Sequence, residues 1–67
     1  MRRIKEKDYI LITDNGSSEY LQIGEVIDIE YFPHSDDVKT YKVQFIDKIY
    51  EYDNTLEYTC KILMIER

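Results

Sequence analysis

The residues of this chain best equipped for chemistry sit in three places. Pro33-His34-Ser35-Asp36-Asp37 sets an imidazole beside two carboxylates, a donor set suited to a cation. Near neighbours in one short loop have no fixed geometry and no outer layer of partners to orient them, so a solvated turn is the favoured reading. Ser17-Ser18 supplies hydroxyl nucleophiles, but His34 is the only imidazole in the chain and lies far from them in sequence. Acyl-transfer catalysis needs nucleophile, base and orienting group assembled together. A pocket of about 300 Å³ is also hard to carve from so small a core. Cys60 has one basic neighbour, Lys61, and sits on a partly apolar segment, which favours a buried structural thiol over a reactive one. No catalytic residue, metal or cofactor is therefore assigned.

The remaining chemistry is that of binding. Tyr20, Phe32 and Tyr58 fall in or beside loops, where exposed rings make a protein-docking patch. Glu19, Glu30 and Asp36 would rim that patch. A second set is cationic. Residues 1–7 carry four basic side chains (Arg2, Arg3, Lys5, Lys7) against one acid, with Lys39, Lys42 and Lys48 behind them. Basic and acidic residues alternate there, so a solvated tail is preferred to a phosphate-binding arm.

These residues must be held by a small scaffold. Sixty-seven residues make one domain at most, and a chain of that length buries only about 60% of its unfolded surface. Ten isoleucines, seven tyrosines and no alanine favour strands over helices. Turn chemistry falls at residues 14–18, 33–37, 47–48 and 53–55. Between these points the spacing predicts a first strand over 9–13 and a second over 24–32. In the second, Ile27, Ile29 and Tyr31 share a face, Asp28 and Glu30 point to water, and a bend near Gly24 accommodates Val26. A hairpin turning at Asp47-Lys48 pairs Val43 with Tyr52, Phe45 with Tyr50 and Lys42 with Asp53. One of its faces collects Tyr41, Val43, Phe45, Tyr50 and Tyr52 as core and rim. A helical turn over 55–61 and a last strand over 62–66 complete the domain, which runs from residue 8 to 67 behind the basic tail.

Net charge is −5, and residues 8–67 alone carry thirteen acids against five bases. An acidic body repels phosphate backbones, so nucleic-acid binding by the folded part is disfavoured. One cysteine allows no internal disulfide, and no apolar run approaches the ~20 residues that span a bilayer. A soluble cytoplasmic protein is expected. The scarcity of Ala, Gly, Pro and Arg is a coding signature of an AT-rich genome, such as a low-GC bacterium or its phage.

The pattern Gly24-x-Val26-x-x-Ile29, followed by Tyr41-x-Val43-x-Phe45-x-Asp47 and a closing strand near Ile62–Ile65, resembles the SH3-like small β-barrel, and its Tudor and KOW-type members in particular. The resemblance implies a mostly β, five-stranded barrel with a short helical turn before the last strand. Tudor domains cage methylated side chains with rings from the loops between the first two strands and between the third and fourth. Here those loops offer only Tyr20. Nucleic-acid-binding KOW domains are basic, unlike this body. SH3 domains set aromatics beside an acidic loop to hold proline-rich peptides, and Glu19, Tyr20 and Phe32 imitate that arrangement.

The expectation is a small non-catalytic protein-interaction module, in a phage or bacterial accessory protein. An acidic mimic of nucleic acid that inhibits a DNA-binding enzyme is the first alternative, and nucleic-acid binding through the basic arm is the second. A homodimer that completes the core is a further arrangement for so short a chain.

Overall fold

A computed structural model describes residues 3–63. Among these residues five antiparallel strands form one sheet: β1 (Tyr9–Ile12), β2 (Ile23–Tyr31), β3 (Val38–Gln44), β4 (Ile49–Asp53) and β5 (Cys60–Leu63). One short helix, α1 (Leu56–Thr59), separates β4 from β5. The sheet order is β4-β3-β2-β1-β5, so β4 and β5 are edges, and no ladder joins them among the described residues. The fold is mostly β, with its helical turn before the last strand. Among the described residues the ladders form a sheet with two edges, without the closure of a barrel. Residues 64–66 of the expected last strand lie outside the described residues.

Alternation decides what each strand buries. Ile10 and Ile12 of β1 turn inward to meet Val26 and Ile29 of β2 and Tyr41 and Val43 of β3. Phe45 and Leu56 close this core, together with Val38 and Ile4. Gly24 is required here. A β-carbon on it would clash with Val43 Cγ1 and come within 2.9 Å of Phe45 Cε1.

The bend expected at Gly24 lies further along. The ladder between β2 and β3 shifts register between Val26 and Asp28 and again between Glu30 and Tyr31. Ile27 is the extra residue at the first shift. It and Tyr31 are exposed, contrary to the face assigned to them, and the inward face is Gly24, Val26 and Ile29. The bulge satisfies both apolar parities of β2 by moving one isoleucine out.

The hairpin also differs from the expected register. Val43 lies opposite Tyr50, Tyr41 opposite Tyr52 and Lys42 opposite Glu51. The turn takes residues 45–48, with Phe45 N donating to Lys48 O at 2.8 Å and Gln44 Nε2 donating to the Phe45 and Lys48 carbonyls. A two-residue turn wants positive φ, and neither Asp47 nor Lys48 adopts it. The slip is two residues, so every side chain keeps its face. Tyr41, Val43 and Phe45 are buried, Tyr52 is half-buried and Tyr50 is exposed at the rim.

The basic segment packs against the body. Ile4 is only 7% exposed within the core, Lys7 N donates to Val26 O at 2.7 Å, and Val26 N donates to Asp8 O at 2.8 Å. Lys7 takes φ 74° to make that turn. Residues 4–7 therefore belong to the folded unit, a correction to the separate tail expected from their charge.

Candidate functional site

Four elements converge on a hollow of about 180 Å³. The N-terminal segment contributes Arg3. The loop between β2 and β3 contributes Phe32 and Asp37, β3 contributes Val38 and Tyr41, and the β4–α1 junction contributes Asn54 and Glu57. Each has a local reason to be there. Phe32 N donates to Asp37 O at 3.0 Å, and Asp37 N donates to Ser35 Oγ at 3.0 Å, which folds the β2–β3 loop back on itself. His34 takes φ 59° in that loop. Asp53 Oδ1 accepts from Thr55 N at 3.0 Å and turns the chain into α1, while Leu56, fully buried, pins the helix inward. Glu57 and Tyr58 are left facing outward.

Tyr41 is the floor of the hollow. The residue is 2% exposed, yet its side chain makes no hydrogen bond among the described residues. No fully buried side-chain polar atom lacks a partner there, so the Tyr41 hydroxyl opens on the hollow. Burial first, then the negative charge of Glu57, raises its pKa, and the charge of Arg3 opposes them. The phenol stays neutral, a donor and acceptor in one group. Arg3 Nη2 makes one long bond, 3.4 Å to Asp36 O. Neither Asp37 nor Glu57 is in an ion pair among the described residues.

The residues expected to form one patch are dispersed. Phe32 lies at the lip of this hollow, and Asp36 meets Arg3 through its carbonyl. Tyr58 is exposed on α1, beside Glu57 in sequence. Glu30 faces Lys39 at 3.6 Å, and Tyr20 is exposed in the β1–β2 loop. Glu19 is the clear correction. It is 1% exposed and cannot rim a docking surface. Of the expected cationic arm, Arg3 lines the hollow, Lys5 and Lys7 lie in the turn packed on β2, and Arg2 lies outside the described residues. Asn54 and Glu57 were not singled out from sequence. Leu56 was the available signal, because an inward leucine in a short helix turns its successor outward.

Glu19 instead centres a polar cluster between the β1–β2 loop and the β3–β4 turn. Lys48 Nζ donates to Oε2 at 2.7 Å, Tyr52 OH to Oε1 at 3.2 Å and Ser17 Oγ to Oε1 at 3.2 Å, and Ser18 Oγ donates to Oε2. The Lys48 hydrogen bond, followed by that of Ser18, holds the Glu19 pKa down at about 2. Lys48 is raised in turn by the same bond, and lies 5.6 Å from the Tyr50 ring centroid. Tyr52 is pushed well above the usual phenol range, by burial first and the Glu19 charge second. Ser17 and Ser18 are thus spent on a carboxylate.

Among the described residues no group of three or more His, Cys, Asp or Glu could hold a metal ion, and His34-Asp36-Asp37 does not form one. Cys60 is half-buried, and burial pushes its thiol up to about 11. No helix among the described residues is long and apolar enough to cross a membrane. No family model matches the chain, and neither the curated proteins nor the solved structures yield a match.

Proposed function

We propose that this chain is a small non-catalytic protein-interaction module on an SH3-like sheet, of the kind a phage or bacterial accessory protein carries. The partner docks over the hollow between the β2–β3 loop and α1, with Phe32 at its lip. One observation carries this reading: the hydroxyl of Tyr41, a residue 2% exposed, opens into a recess lined by charged and aromatic residues, with no hydrogen-bond partner among the described residues. Opening on the hollow, that hydroxyl keeps a donor and an acceptor for a docked partner to meet.

The alternatives draw less support. A nucleic-acid mimic needs carboxylates spaced like phosphates on one surface. Here Glu30 faces Lys39, Glu19 holds Lys48, and Lys42 lies opposite both Asp28 and Glu51. A phosphate-binding arm needs a segment free to reach, and Ile4 anchors this one in the core.

A photo-crosslinking residue at position 32 tests the reading in cells of the native host. A discrete adduct at position 32, absent at position 49 on the β4 edge and competed away by excess wild-type chain, is expected. Equal labelling from both positions, or none from either, would refute it.

A further inference from the structure

The hollow has a chemical bias of its own. Two acidic residues, Asp37 and Glu57, line it beside one cation, Arg3; among the described residues neither acid is in an ion pair, and Arg3 makes a single long bond to a backbone carbonyl. A guanidinium carries five donors in a planar fork, and four of those on Arg3 are unspent in hydrogen bonds among the described residues. Phe32 presents a half-exposed ring at the lip, and the Tyr41 hydroxyl waits at the floor as an acceptor. Asn54 completes the wall.

We propose that the hollow receives an arginine side chain of the partner protein, and that Arg3 is a built-in competitor for the same carboxylates. This rests on the interaction-module reading and names what the docked surface must present. A volume of about 180 Å³ has room for one planar side-chain head. A flat cation stacks on a phenyl ring while its edge donors reach carboxylates, which an ammonium cannot do at once. The body's acidic excess steers such a partner inward. Ile4, seated in the core, keeps Arg3 tethered beside the hollow, so Arg3 competes at a fixed effective concentration.

The test uses the full chain, ¹⁵N-labelled, at low salt. The probe is the capped tripeptide acetyl-Gly-Arg-Gly-amide, with its neutral citrulline counterpart as control. Saturable shifts confined to the amides of residues 32, 37, 41 and 57 are expected, with the citrulline peptide leaving them still. Asp37→Asn and Glu57→Gln should each weaken binding roughly three- to fivefold, the scale of one solvent-touched charge pair. Arg3→Gln should tighten it by a similar factor. The same spectra report whether each variant is folded. Equal shifts from both peptides, no saturable shift, or unchanged affinity in Arg3→Gln would overturn the proposal. A chain that crosslinks its partner through position 32 yet ignores the arginine peptide keeps the interaction module and loses this inference.

Discussion

Glu19 buries a full negative charge in a chain with very little interior, and that charge survives because every lone-pair direction is met. A carboxylate stripped of water is tolerated when donors replace its shell. Two serines, a lysine and a tyrosine do so here. Its folded pKa of about 2 lies below the ordinary value of 4.5. The stabilisation is therefore fully present above pH 4.5 and is lost as pH falls towards 2. Acid titration of urea stability should show a decline across that window, and Glu19→Gln should flatten it. The same substitution should cost roughly 2 kcal/mol at neutral pH, because it strands donors in a buried site. An unchanged slope in acid would show that Glu19 is not the group responsible. Cys60 gives a second test at this scale. With its thiol pushed up to about 11, native protein at pH 8 should react with a disulfide reagent roughly a hundredfold more slowly than denatured protein, since only the thiolate attacks. Equal rates would place the thiol in solvent.

Between elements, what was legible in the sequence was parity, and what was not was position. Alternation in Tyr41, Val43 and Phe45 named the buried face of β3 correctly, and the slip in hairpin register left that face intact because it moved by two. Turn length depends on φ values that side-chain type only biases, so the slip itself was invisible. The bulge at Ile27 escaped for a related reason. Ile23, Ile27 and Ile29 of β2 cannot all face inward beside Val26, and sequence alone does not say that Ile29 stays while Ile23 and Ile27 turn out. Glu19 was misread because burial of an acid is decided by donors distant in sequence, Lys48 and Tyr52, which only the folded loops bring near. Gly24 is the strictest element-level position. Gly24→Ala forces a methyl against Val43 and Phe45, where β2 crosses β3. Overpacking of this kind costs about 1–3 kcal/mol, so the urea midpoint should fall while the denaturant slope holds. A variant as stable as the wild type would mean that β2 can lift away from β3.

For the molecule as a whole, the question is where the folded unit starts. Charge marks residues 1–7 as a solvated tail, whereas packing draws at least residues 4–7 into the domain. Ile4 belongs to the core with Ile10, Val26 and Leu56, and the Lys7–Val26 hydrogen bond splices the segment to β2. Small domains have net stabilities of only about 5 kcal/mol at the low end of the usual range, so one buried isoleucine is a large share. Truncating it should cost roughly 2–4 kcal/mol through lost burial and an unfilled cavity. Ile4→Ala should thus unfold at markedly lower urea, and removal of residues 1–7 should be at least as damaging. Lys5→Gln, which alters charge on an exposed side chain, should leave the midpoint nearly fixed. The contrast separates an apolar anchor from an electrostatic one. If Ile4→Ala melts like the wild type while charge removal shifts the midpoint, the segment is held by its lysines and arginines, and Arg3 loses the tether that keeps it at the acidic hollow.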